Sequence, residues 1–173
     1  MMRSLPARSR SLRRSAVRVA GAAAVVLGTA LGLSAVGAGA ASAQPAVCVS
    51  PPSDNDIQVH GTASCGAKAS DGGWVQSGAI DSGTAVGVAQ GPDAQTQSYA
   101  SGYGTALGAS TGGQAWALAL GGGIAHSGAA PGALTIAIAG WGSGATADVN
   151  GVDCTGALSF AANLQTGQVC AFR

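Results

Sequence analysis

The chain has 173 residues, 29 of them glycine, with eight basic and seven acidic residues. Six of the eight basic residues precede position 44 and all seven acids follow it, so the part after residue 43 has a net charge of −5, two cations against seven anions. Two cations cannot form the basic patch that nucleic acids and anionic membranes require, which excludes both as partners.

The first 43 residues have the features of a secretory signal peptide. Arginines crowd the start, an uncharged apolar run follows at residues 19–37, and small residues occupy 41–43. This pattern predicts cleavage between Ala43 and Gln44. The alternative is a transmembrane anchor, since about 20 apolar residues can span a bilayer. We expect cleavage because the run is only weakly hydrophobic, which leaves one secreted domain, residues 44–173, without a stable membrane anchor.

Four stretches of that domain alternate a larger apolar residue with Ala, Gly or Thr and stop at glycine. They lie at residues 84–91, 105–112, 116–123 and 134–142. Alternation with period two predicts a strand, and a terminal glycine predicts a turn. Strands are expected near residues 84–89, 95–101, 104–109, 114–120, 133–139, 145–150 and 157–162.

The spacing of these strands favours an all-β, Gly/Ala-rich β-solenoid, or β-roll. Successive strands begin about ten residues apart, which fits coils of about 20 residues with two strands each. In this interpretation Val, Leu and Ile form a thin core, and the small residues form the opposite strand faces. The alternative is a small antiparallel β-sandwich, which also has turns every 8–12 residues or so.

Four cysteines lie near the two ends of the domain. Cys48 and Cys65 are 17 residues apart, and Cys154 and Cys170 are 16 apart. Export favours disulfides, and four cysteines allow three pairings. We expect the two local pairs, because they bracket the repetitive middle and would fasten the terminal coils of a solenoid. A zinc site is the competing interpretation, but the chain has no C-x-x-C spacing.

The Gly/Ala-rich stretches at 84–91, 105–112 and 116–123 resemble the head repeats of trimeric autotransporter adhesins, which form β-rolls. That resemblance implies a β-roll fold and a role in adhesion. As a whole, the chain is similar to small, functionally uncharacterised secreted proteins of high-GC Gram-positive bacteria. This second resemblance implies a location outside the cell and no particular chemistry.

One motif suggests catalysis. Residues 108–112 match G-x-S-x-G, the nucleophile motif of α/β-hydrolases, with Ser110 at its centre. That motif requires a strand-to-helix turn in a large parallel-sheet fold. His126 also precedes both candidate acids, Asp148 and Asp153, whereas in that fold it should follow them. We therefore predict no catalytic residue, and a small secreted serine hydrolase is the least favoured alternative.

The sequence predicts neither a metal nor a cofactor. Asp54-Asn55-Asp56 begins like a calcium loop, but Gln58 follows where a third ligand is needed and no glutamate occupies the twelfth position. His60 and His126 stand apart from each other and from the cysteines.

Aromatic residues are the remaining candidates for recognition. The candidates are Tyr99, Tyr103 and Trp141. Trp141 lies between two glycines and is the best candidate for exposure, and at least one of the two tyrosines is expected to face solvent. Structural roles are favoured for these rings, and stacking on the sugar rings of a cell-wall polymer is the alternative. Trp116 shares the face of Leu118 and is predicted to lie in the core.

These observations predict a secreted, non-enzymatic structural or adhesive protein of the cell envelope. We expect it to self-associate through its small-residue β faces, because Ala, Gly, Ser and Thr permit close approach of a second sheet. The alternative function is a cell-wall glycan-binding module that uses the exposed aromatics.

Overall fold

The structure, a computed structural model, describes residues 44–173. The predicted signal peptide, residues 1–43, lies outside the described residues. Residues 44–173 form strands, turns and bends without a helix, and so without a helix that could cross a membrane.

The described residues form fourteen strands. In chain order they are β1 (Ala46–Ser50), β2 (Asn55–His60), β3 (Ala63–Ser70), β4 (Trp74–Ile80), β5 (Thr84–Gln90), β6 (Gln95–Ser101), β7 (Thr105–Ser110), β8 (Gln114–Leu120), β9 (Ile124–Ala129), β10 (Leu134–Ala139), β11 (Gly144–Asp148), β12 (Gly151–Thr155), β13 (Ser159–Asn163) and β14 (Gln168–Phe172).

The strands form two seven-stranded sheets. Sheet A has the order β1-β4-β6-β8-β10-β13-β14, and sheet B has the order β12-β11-β9-β7-β5-β3-β2. From β3 to β11 the chain alternates between the sheets, and neighbours within each sheet are parallel. The fold is therefore the predicted β-solenoid and not the alternative antiparallel sandwich.

The register confirms a coil of about 20 residues that contains two strands. Ser64 pairs with Thr84, Thr84 with Thr105, and Thr105 with Ile124, which are steps of 20, 21 and 19 residues. Equivalent residues of successive coils therefore form columns across each sheet.

The core consists mainly of alanine, so the predicted assignment of the two strand faces is wrong. Ala85, Ala106 and Ala125 form one fully buried column of sheet B. On the same strands Val88 and Leu107 point outward and are 42% and 38% exposed. The small-residue faces predicted to bind a second copy instead pack against each other within one chain.

Close approach of the sheets explains this inversion. A Cβ added at Gly108 would lie 2.5 Å from Thr96 Cγ2 and 2.6 Å from Ser98 Oγ on the opposite sheet. No real Cβ can be so close to a neighbour, so this part of the interior has room only for glycine. Leu, Ile and aromatic side chains are therefore placed on the outer faces.

Antiparallel strands end the stack at both ends. At the first end β1 pairs with β4 and β2 pairs with β3, and at the other β12 pairs with β11 and β13 pairs with β10. Cys48 of β1 bonds Cys65 of β3, with 5.8 Å between their Cα atoms. Cys154 of β12 bonds Cys170 of β14, with 6.0 Å between theirs. The predicted local pairing is confirmed, and each disulfide joins the two sheets across the core.

Candidate functional site

The outer face of sheet A is an extended surface without a charged side chain. We call this surface the platform. It comprises Val47, Val49, Trp74, Gln76, Gly78, Ile80, Gln95, Gln97, Tyr99, Ser101, Gln114, Trp116, Leu118, Leu120, Leu134, Ile136, Ile138, Phe160, Ala162, Val169 and Ala171. Because β4, β6, β8 and β10 are parallel and in register, these side chains form straight columns across the sheet.

The charged residues of the described domain are not members of the platform: they lie on sheet B, in loops and corners, and at the C-terminus. They are Asp54, Asp56, Lys68, Asp71, Asp81, Asp93, Asp148, Asp153 and Arg173. A face free of charge on a domain of net charge −5 shows that the charges are segregated. Except at the β1 edge, where the Asp56 carboxylate accepts a hydrogen bond from the Val49 amide, the platform can therefore meet a neutral surface without desolvating a charged side chain.

One end of the platform combines two indoles with four primary amides. We call this region the Trp–Gln patch. Its three rows, one from each of β4, β6 and β8, are Trp74 and Gln76, Gln95 and Gln97, and Gln114 and Trp116. The tryptophans occupy opposite corners of the grid and are half-buried, whereas Gln95 and Gln114 are exposed. The patch thus presents flat apolar rings beside groups that both donate and accept hydrogen bonds.

Tyr99 extends the platform next to this patch. A Cβ added at Gly78, its neighbour on β4, would lie 2.9 Å from Tyr99 Cδ1, so the ring packs over the bare glycine backbone. Burial raises the pKa of the Tyr99 phenol. The ring is therefore held against the sheet and presents only part of its surface to a partner.

The remainder of the platform is mostly apolar. Leu118, Ile136 and Ile138 lie on β8 and β10, with Phe160 on the adjoining β13. Trp116 shares the face of Leu118, as predicted, but that face is the platform, so the prediction that Trp116 lies in the core is wrong. The cause is the inverted assignment of the strand faces.

Tyr103 and Trp141 lie at the corners where the chain leaves sheet A for sheet B. They are 79% and 72% exposed, in agreement with the exposure expected for Trp141 and for at least one of the two tyrosines. Trp141 packs over Gly121 of the preceding coil. Tyr103 has a φ of +67°, a left-handed conformation that is uncommon for a bulky residue.

The three predicted ligand-binding aromatics do not form one site. Tyr99 lies within the platform, whereas Tyr103 and Trp141 are at corners separated by the coil that contains Gly121. Sequence reasoning missed the four glutamines of the Trp–Gln patch. Their signal was Gln95 and Gln97, which are two residues apart on a predicted strand and so share a face with Tyr99.

The residues of the hydrolase motif are not arranged for nucleophilic catalysis. Ser110 is 2% exposed, and its Oγ lies 2.9 Å from Thr96 Oγ1 in the core. His126 stands on the outer face of sheet B, in the column of Leu107. The hydroxyl and the imidazole therefore lie on opposite sides of one sheet.

Two of the acidic side chains, those of Asp56 and Asp148, have structural partners. Asp56 Oδ2 accepts a hydrogen bond from the Val49 amide at 3.0 Å. Asp148 Oδ1 accepts one from the Asn150 amide at 2.7 Å in the turn before β12. Within residues 44–173, no three His, Cys, Asp or Glu side chains are grouped so that they could hold a metal ion.

Sheet B carries a shallow hollow of about 240 Å³ on its outer face, between Val88 and Asp148. Ala109 and Gly128 form part of its lining, and their small size creates the depression. Pockets for small molecules are usually larger, about 300–1,000 Å³, so the hollow is a weaker candidate than the platform.

Comparison with protein families matches residues 12–173 to the Family of unknown function (DUF6764). The chain belongs to this family. No curated protein and no solved structure matches the chain significantly. DUF6764 membership thus brings no chemistry, and no relative supports the resemblance to trimeric autotransporter adhesins or to secreted proteins of high-GC Gram-positive bacteria.

Proposed function

We propose that the mature protein is a secreted, non-catalytic structural or adhesive protein of the cell envelope and that the platform is its adhesive surface. The absence of charged side chains from that seven-stranded face is the observation that carries the proposal. Seven strands at about 4.8 Å, each five to seven residues long at about 3.3 Å per residue, give a face of about 550–800 Å². Exposed apolar patches beyond a few hundred Å² usually mark interaction sites.

Other features of the domain support this role. Both disulfides are consistent with an extracellular location, where they persist. They also join the two sheets at each end of the stack, so sheet A, which carries the platform, is covalently tied to sheet B at both ends. Self-association through the Ala and Gly faces is not part of the proposal, because those faces form the core.

The test is retention of the disulfide-bonded protein on isolated cell envelopes from the organism that encodes it. Ile138→Lys places a charge on the platform, and Leu107→Lys places one on the outer face of sheet B. The two parent side chains are 36% and 38% exposed, which makes the variants a matched pair.

We expect Ile138→Lys to weaken retention at least tenfold and Leu107→Lys to leave it unchanged, with both thermal unfolding midpoints near that of the wild type. Equal retention of wild type and Ile138→Lys would show that adhesion does not use the platform.

A further inference from the structure

We infer that the Trp–Gln patch binds a neutral polysaccharide. The inference rests on the proposed function in taking the platform as the adhesive surface, and it names the partner of that surface. It assigns recognition to the indoles of Trp74 and Trp116 and to the amides between them, instead of to the corner residues Tyr103 and Trp141.

The chemistry of the patch matches that of a sugar polymer. A pyranose ring has apolar C–H faces that pack on an aromatic ring, and hydroxyl groups at its edge that donate and accept hydrogen bonds. Indoles supply rigid apolar area at a low cost in conformational entropy. Each glutamine amide supplies two donors and two acceptor lone pairs. The two indoles and four amides, which share a grid of three strands by two positions, together provide both kinds of contact.

The arrangement also favours a polymer over a single sugar. Trp74 and Trp116 are separated by two strand spacings and by two residues along the strand. These separations place their Cα atoms about 12 Å apart, which is longer than one sugar ring. An extended chain that contacts both rings would cross β6, the strand between them, at Gln95 and Gln97.

Charge and polarity distinguish this partner from others. An acidic polymer would need cations, and the platform has none. The aliphatic face of another protein would leave the four amides without hydrogen bonds, and burying an unpaired amide is unfavourable. A neutral chain that carries hydroxyl groups satisfies the amides and needs no counter-charge.

The experiment measures retention of the disulfide-bonded secreted protein on insoluble cellulose, chitin and starch. Polygalacturonate is the charged comparison. Trp116→Ala removes one indole, and Gln97→Leu removes an amide while keeping a side chain of similar size. Trp141→Ala is the control, since it removes an exposed indole outside the patch.

We expect at least one neutral polymer to retain the wild type and polygalacturonate to retain none. Trp116→Ala and Gln97→Leu should each weaken retention about tenfold, and Trp141→Ala should leave it unchanged. Gln97→Leu separates recognition of a glycan from simple apolar adhesion, because apolar adhesion would be strengthened by that change.

Three results would overturn the inference. The first is failure of all three neutral polymers to retain the wild type. The second is undiminished retention of Gln97→Leu, or loss of retention only in Trp141→Ala. The third is a concentration-dependent dimer in sedimentation that Ile138→Lys abolishes, without glycan binding, which would make a second copy the partner. In each of these cases, retention on cell envelopes can still depend on Ile138. The envelope experiment therefore tests the proposed function independently of the polysaccharide experiment.

Discussion

Replacement of Gly108 by alanine tests whether the two sheets are as close as the alanine core requires. The new methyl would lie 2.5 Å from Thr96 Cγ2 and 2.6 Å from Ser98 Oγ. Carbon atoms in contact are normally about 3.5–4.0 Å apart, so the sheets would have to separate locally by about 1 Å. Overpacking of this kind costs about 1–3 kcal/mol.

Part of this cost is offset, because alanine loses less backbone entropy than glycine on folding, by about 0.5–1 kcal/mol. The expected net loss in the free energy of unfolding is therefore about 1–2 kcal/mol, or a fall of about 5 °C in the midpoint of a domain of this size. Urea and thermal unfolding, followed by circular dichroism with the disulfides intact, would measure both quantities.

Gly66→Ala is the matched control on the same sheet. An added Cβ there meets only the Val86 methyl groups at 3.8 and 3.9 Å, an ordinary contact, so this variant should be neutral or slightly stabilised. Thr96→Ser removes the obstructing methyl but keeps the hydroxyl, and it should restore part of the stability of Gly108→Ala. Wild-type stability of Gly108→Ala alone would refute the close-packing argument.

Other predictions concern the buried hydroxyls, the disulfides and Tyr99. Ser98 Oγ is buried without a hydrogen-bond partner among the described residues, so Ser98→Ala should raise the free energy of unfolding by about 1 kcal/mol. Ser110→Ala removes a hydrogen-bonded hydroxyl and should lower the free energy of unfolding by a similar amount. The opposite order of the two variants in urea titrations would contradict this. Reduction of both disulfides should lower the urea midpoint, since closing a loop of 16 or 17 residues contributes about 3 kcal/mol, and an unchanged midpoint would exclude that contribution. Burial raises the pKa of Tyr99, so its contribution to stability is complete below about pH 10, the pKa of an unperturbed tyrosine, and is lost as the pH rises through the higher folded pKa. Tyr99→Phe should therefore flatten the loss of stability at alkaline pH, measured by unfolding at successive pH values. An equally steep loss in this variant would count against the prediction.

Strands and coil length could be predicted because alternation and glycine stops are local properties of the chain. The strand expected near residues 84–89 is Thr84–Gln90, and the one expected near 114–120 is Gln114–Leu120. The strands at Trp74–Ile80 and Ile124–Ala129 escaped prediction because Gly78 and Gly128 interrupt the pattern of large outward residues.

The orientation of the strands could not be predicted from hydrophobicity, because both faces of most strands are apolar. Preference for the larger side chains put Val86 and Leu118 inside, but the sheets are too close to accept them. A better guide was the polarity of the other residues on the same strand face. Gln97 shares its face with Tyr99, and a face that contains glutamine belongs in solvent. The platform was missed for the same reason, since it was assigned to the core.

The reversed strands at both ends fix the length of the stack. A parallel coil offers its neighbour a hydrogen-bonding edge that another parallel coil can extend, whereas an antiparallel terminal strand has a different bonding pattern. Since each coil contacts mainly its neighbours, a coil could be duplicated between the ends without altering either of them. A second copy of residues 84–104 would lengthen the domain by about 4.8 Å and add another row of Gln95, Gln97 and Tyr99. The number of coils thus sets the size of the platform independently of the two ends of the stack.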